Sequence, residues 1–176
     1  MIGIRRLRSD EIEKIHELDR SETIRIGYRQ EGAELIEFPV CWDDDGWVEG
    51  DGEHSFGRMI RGAEELMDLA GTAFGAFDED RLVGIAIYRP RLTETTGQLG
   101  LLHVSNGYRR RGIASRLFDE VCTLARADGA ERLYVSATPS ESAVGFYLAK
   151  GFTPTSTADP ELLELEPDDI HMTLAL

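Results

Sequence analysis

The stretch Leu101–Ala127, LLHVSNGYRRRGIASRLFDEVCTLARA, constrains the fold most strongly. The apolar run Gln98–Val104 predicts a strand. Arg109-Arg110-Arg111-Gly112-Ile113-Ala114 then leads directly into a helix over Gly112–Ala127. Ile113, Leu117, Val121 and Leu124 form its apolar stripe. A strand that feeds a helix through a short loop of this kind makes an anion site. The first N–H groups of a helix have no internal acceptor, and the positive end of the helix dipole lies beside them. Gly112 permits close backbone approach, small Ala114 leaves the first turn clear, and three arginines add local positive charge.

The rest of the chain supplies a sheet for this unit. Ile2–Leu7 alternates as a strand, and Ser9 is the expected cap of a helix carrying Ile12, Ile15 and Leu18. From Glu31 to Glu53 the pattern breaks down. Gly32 reads as a turn between short extended pieces, and Pro39, Gly46, Gly50 and Gly52 punctuate a loop. Ser55 opens a second helix through Leu69, and Gly71 sits just past its end as helix C-caps favour. Thr72–Phe77 and Arg81–Tyr88 form a hairpin about Asp78-Glu79-Asp80. Leu133–Ala137 is a strand, Glu141–Lys150 a short helix closed by Gly151, and Ile170–Leu176 a last strand. Helices interrupt strands throughout, so the class is α/β or α+β around a mixed sheet. One domain is expected over residues 1–176, at about 150 residues per domain.

Charge narrows the function. The chain carries 33 acidic and 19 basic residues, net −14. A phosphate backbone would be repelled over most of that surface, so nucleic-acid partners are not expected. Two cysteines make no disulfide framework, and the four histidines lack metal-ligand spacing, so no metal is expected. The lack of a long apolar run argues against a membrane span or signal peptide, and a cytoplasmic protein is the default.

Two motifs together carry a resemblance. Arg109–Ala114 resembles the R/Q-x-x-G-x-G/A loop of the GCN5-related N-acetyltransferases (GNAT). Ser142–Phe152, SAVGFYLAKGF, is similar to that family's A-x-x-x-Y-x-K-x-G-F signature. The resemblance covers Thr72–Phe152 well and extends to Ile2–Leu18. It implies a mostly antiparallel central sheet flanked by helices, and acetyl transfer from acetyl-CoA to an amine by direct attack in a ternary complex. Residue by residue, it implies that Arg109, Arg110, Arg111, Gly112, Ile113, Ala114 and Ser115 hold the pyrophosphate of coenzyme A. Leu102, His103 and Val104 would pair with the pantetheine arm and offer an N–H to the thioester oxygen. Tyr147 would be the general acid for the leaving thiol, a role that a phenol protonated at neutral pH suits.

Two departures matter. Ser140 replaces an asparagine that contacts cofactor or helix cap in many relatives. Gln98 aligns with a glutamate that is the base in the histone-acetylating branch, and an amide cannot take a proton. His103, or an acidic side chain acting through water, is then the candidate base. His103 alternates with Leu101 and Leu99, so it could equally face the core.

Seven acids lie between Glu37 and Glu53 with no Lys or Arg among them, and both tryptophans, Trp42 and Trp47, stand beside Asp43, Asp44 and Asp45. Carboxylates beside aromatic faces suit a cationic amine. A solvated loop or a homodimer contact explains the same residues. The expected activity is N-acetylation of a small cationic amine. Acetylation of protein N-termini or lysines, or an acyl-CoA sensor without turnover, are the alternatives.

Overall fold

The two apolar runs around Asp78-Glu79-Asp80 build the centre of the molecule. In the computed structural model, which describes residues 1–176, they form a hairpin buried on both faces. The elements in chain order are β1 (Gly3–Arg6), a 3-10 segment (Ser9–Glu17), β2 (Glu22–Glu31), β3 (Glu34–Asp44), α1 (Phe56–Asp68), β4 (Thr72–Asp78) and β5 (Arg81–Arg89). They continue with β6 (Thr96–Val104), a 3-10 turn (Asn106–Tyr108), α2 (Ile113–Ala127), β7 (Arg132–Ala137), α3 (Glu141–Ala149), β8 (Thr153–Pro154), α4 (Pro160–Leu165) and β9 (Ile170–Ala175). Seven strands make one sheet in the order β1-β4-β5-β6-β7-β9-β8, and β2 and β3 form a separate hairpin. Only β6 and β7 run parallel. The fold is the mixed sheet that the pattern predicts, mostly antiparallel and flanked by helices as the resemblance implies.

A strand covered on both sides reads as an unbroken apolar run, and Leu82–Tyr88 of β5 is fully buried. On one face Phe74, Val83, Ala86 and Tyr88 pack with Leu117 and Val121 of α2 and Val144 of α3. On the other, Ala73, Ile85 and Ile87 pack with Ile12 and Ile15 of the 3-10 segment and Ile60 and Ala63 of α1. Each fully buried Leu or Ile contributes roughly 1.5–3 kcal/mol.

Three local expectations are corrected. The segment expected as a helix capped by Ser9 is a 3-10 helix capped at Arg8, where the Glu11 carboxylate accepts the Arg8 N–H at 3.0 Å. Arg5 grips the same carboxylate at 2.7 and 2.8 Å, which holds its pKa down at about 2. After α1 the left-handed residue is Ala70, not Gly71. Gly71 supplies space instead, since a Cβ there would stand 2.3 Å from the Leu66 carbonyl oxygen.

The third correction is the largest. The turn at Gly32 between extended pieces forms as predicted, but the stretch after it, read as a loop punctuated from Pro39, is strand as far as Asp44, and β2 before the turn carries no usable alternation. The hairpin stands off the main sheet, so few of its side chains are buried and period-2 burial never develops. Pro39 is tolerated because it lies beside a register shift on an isolated two-strand ribbon. Gln98–Val104, Leu133–Ala137, the helix opened by Ser55 and the final strand all form as predicted.

Candidate active site

A fork in the sheet frames the site. β6 pairs with β7 only through Thr96, Gly97 and Gln98, opposite Arg132, Leu133 and Tyr134. Beyond that point the strands part, and Leu99–Val104 has a partner only on its β5 side. The cause is a bulge. Ile87 stands opposite Leu101 and Tyr88 opposite Leu99, which leaves Gly100 unpaired, and a bulged strand bends. The bulge also breaks the alternation read from sequence. Leu99 faces α2, whereas Leu101 and His103 face the other layer.

At the open end of the fork lies the start of α2. Gly112 caps the helix at φ 75°, after Arg110 at φ 60°. Six consecutive backbone N–H groups, Arg110 to Ser115, have no acceptor anywhere in the protein. Gly112 supplies no capping side chain, and a Cβ there would meet open space. Residues of alternating hand with free N–H groups form an anion-binding concavity at a positive helix end. This donor set fits a pyrophosphate.

The three arginines divide their work. Arg109 donates to the Val104 and Arg20 carbonyls, both at 3.2 Å, and so fixes the loop. Arg111 donates to the Gly107 carbonyl at 3.0 Å and covers the Tyr108 ring. Arg110 is exposed and has no protein partner, which leaves its guanidinium to a ligand. Leu102 and Val104 turn toward the α2 side of the free strand edge. Ser140 caps α3, its hydroxyl accepting the Ala143 N–H at 3.4 Å.

Tyr147 is 6 % exposed, its ring held by Phe146 and Phe152 at 5.4 and 5.3 Å. No protein group hydrogen-bonds its hydroxyl. That oxygen keeps an opening to the surface, since every sealed side-chain polar atom has a partner. Burial pushes the phenol well above its ordinary pKa, and the carboxylates of Asp169 and Glu166 push it further. It therefore stays protonated at neutral pH. His103 meets Trp47 edge-on at 4.8 Å. Burial, with the Arg20 and Arg109 guanidinium groups, lowers its pKa to about 3, so the imidazole is neutral.

The two tryptophans part ways. Trp47 is buried between His103 and Phe56, while Trp42 is 45 % exposed and meets Phe38. Asp44 is ion-paired with Arg20, whose guanidinium lies 5.8 Å from the Trp47 ring centre. Asp43 accepts the Thr23 hydroxyl at 2.8 Å, and Asp45 is exposed; neither has a basic partner. Asp51 is taken by Arg61 at 2.6 Å.

Sequence reasoning missed two neighbours, Arg20 and Asp169. Arg20 enters because Asp19–Ser21 docks on the end of β6, where the Ser105 hydroxyl accepts the Asp19 N–H at 2.8 Å. Asp169 ends a turn after α4, in which its N–H donates to the Glu166 carbonyl at 3.3 Å. Buried His171 braces this turn. Tyr134 donates its hydroxyl proton to His171 Nδ1 at 2.8 Å, and His171 Nε2–H donates to the Glu166 carbonyl at 3.1 Å. The hairpin adds a tie, with the Gln30 side chain accepting the His171 N–H at 2.8 Å. No sequence pattern joined these residues to Tyr147; only the run Asp168-Asp169 ahead of the last strand could have drawn notice.

Comparison with known proteins identifies the family and the fold. The family described as acetyltransferase (GNAT) family matches residues 32–152. A crystal structure of nourseothricin acetyltransferase superposes with a TM-score of 0.71 at 19% identity, covering 99% of this chain and 98% of the other. A putative streptothricin acetyltransferase from Bacillus anthracis str. Ames, in complex with acetyl coenzyme A, gives 0.72 at 15% identity over 100% and 99%. The PaiA N-acetyltransferase of Thermoplasma acidophilum, in complex with coenzyme A, gives 0.65 at 16% identity over 100% and 99%. No curated protein matches by sequence. No helix is long and apolar enough to cross a membrane. The chain belongs to the acetyltransferase (GNAT) family and is an acyltransferase whose acetyl donor is acetyl-CoA.

Proposed function

We propose that the protein transfers an acetyl group from acetyl-CoA to the nitrogen of a small cationic primary amine, by direct attack with both substrates bound. The observation that carries this reading is the pairing of six free N–H groups at the start of α2 with the unpartnered Tyr147 hydroxyl. Acetyl-CoA, when bound, supplies an activated thioester. The backbone of Arg110 to Ser115, with the Arg110 side chain, holds its phosphates. The free edge of β6 at Leu102, His103 and Val104 orients the arm and offers an N–H where negative charge develops on oxygen. Tyr147 donates its proton to the leaving sulfur, as its raised pKa allows.

Trp47 and neutral His103 form an apolar wall on the acceptor side, and the carboxylates of Asp43 and Asp45 have no basic neighbour to compete with an ammonium. The ion pair withdraws Asp44 from that role and makes it an anchor for Arg20. Trp42, on the outer face of the hairpin, serves the acceptor only as an entrance contact.

Thiol release from acetyl-CoA across a panel of polyamines, amino-sugars and small peptide amines tests the reading. Turnover with at least one amine is expected. In Tyr147→Phe it should fall roughly 10²–10⁴-fold, the span of one acid catalyst, with unchanged CoA affinity. CoA binding with no acceptor across the panel would mark a sensor instead.

A further inference from the structure

The deprotonation of the incoming amine needs a group that none of the motif residues supplies. His103 is a poor proton acceptor at a pKa of about 3, and Gln98 is an amide engaged by Arg89 at 3.4 Å. The turn between α4 and β9 carries the alternative. Asp169 and Glu166 lie near enough for their charges to act on the Tyr147 phenol, a nine-tenths-buried side chain whose hydroxyl lacks a protein partner. Asp169 precedes Ile170, which pairs with Ala137 at the C-terminal end of β7. In the strand order β9 lies beyond β7 from β6, so Asp169 sits at the open end of the fork, on the far side of β7.

Resting on the reading above, we infer that Asp169 is the general base that takes the proton from the ammonium group of the acceptor, working opposite Tyr147 across the fork. The proton balance closes. Asp169 takes one proton from nitrogen, which frees the lone pair that forms the C–N bond as the C–S bond breaks. Tyr147 gives its proton to sulfur, and the second proton shed by nitrogen replaces it. Asp169 returns its proton to solvent before the next turnover, so one proton is released per acetyl transferred.

The surroundings suit the role. Burial, together with Glu166 and Asp168 on the same turn, raises the Asp169 carboxyl to about 7. Arg20 on the opposite wall opposes the shift, and Tyr147 from α3 faces it as a neutral phenol. Burial raises Glu166 as well, against the Ser136 hydroxyl, His171 and Arg58. An acceptor that titrates near neutrality binds a proton from an ammonium far better than an ordinary carboxylate and still releases it to water. The brace from His171 to Glu166 and the tie from Gln30 hold the turn in place before any ligand arrives.

The test compares wild type, Asp169→Asn and Asp169→Glu. In the free protein, carbon-13 NMR of labelled carboxyls should show one group titrating near neutrality, absent from Asp169→Asn. With an amine that wild type acetylates, kcat/KM should rise with pH through the same point. Asp169→Asn should lose that limb and fall roughly 10²–10⁴-fold with CoA affinity intact, and Asp169→Glu should keep the limb. A wild-type limb that persists in Asp169→Asn overturns the assignment while the amine-acetylating activity stands. The absence of any carboxyl titrating near neutrality also overturns it. Failure of wild type itself across the amine panel removes both.

Discussion

Gly112→Ala probes the proposed cofactor cradle with one methyl group. Gly112 sits at φ 75°, a left-handed conformation, and an added Cβ would meet nothing within 4 Å. The substitution therefore brings no clash within the protein and isolates backbone strain. A left-handed L-residue costs about 1–2 kcal/mol. That cost has two places to appear. If the loop keeps its shape, the folded state carries the strain and Tm falls by about 2–8 °C, at about 2–4 °C per kcal/mol for a chain of this size. If the loop relaxes, the protein keeps its Tm, but coenzyme A must restore the strained geometry. Its Kd then weakens by about 5–30-fold, from 1.4 kcal/mol per decade. Calorimetric titration with coenzyme A and a thermal melt, run together, should show the two losses adding up to about 1–2 kcal/mol. Gly107→Ala is the control, at a glycine with an ordinary φ and open space, and should change neither. A Gly112→Ala protein with wild-type Tm and wild-type CoA affinity would refute the cradle.

Two further outcomes follow from the geometry. Leu117 is fully buried between α2 and the sheet, so Leu117→Ala should cost about 2–5 kcal/mol, read as a lower urea midpoint with unchanged slope. The double change Asp43→Asn with Asp45→Asn should raise KM for cationic amines and leave KM for acetyl-CoA alone, measured in steady-state kinetics; a neutral acceptor should show no change.

Legibility followed burial and locality. β4, β5, β6 and α2 were readable because their apolar residues face fixed layers, and so were the caps at Ser55 and Ser140, which depend on neighbours three residues away. The N–H cradle was readable for the same reason, since a helix start announces itself locally. The β2–β3 hairpin was readable only at its Gly32 turn, because it buries too little to impose a period on its strands. The bulge at Gly100 was invisible as well, and it reversed the face assigned to Leu99. Arg20 and Asp169 reach Tyr147 and His103 only through tertiary docking, at the 19–21 segment and at the turn braced by His171. No spacing in the chain encodes those meetings.

The fork in the sheet has a consequence for solubility. From Leu99 to Val104, β6 presents unpaired backbone donors and acceptors on the β7 side, in an apolar stretch of chain. On the rim of a sheet such an edge would recruit strands from other molecules and lead to aggregation. Here it lies in the interior of the strand order, closed at its base by Thr96–Gln98 and flanked by β7 and β9. A folded neighbour cannot bring a whole strand into that gap, whereas one narrow extended ligand can line it. Under the proposed function, the gap is an adhesive rail for a small molecule that the protein does not offer to its own kind.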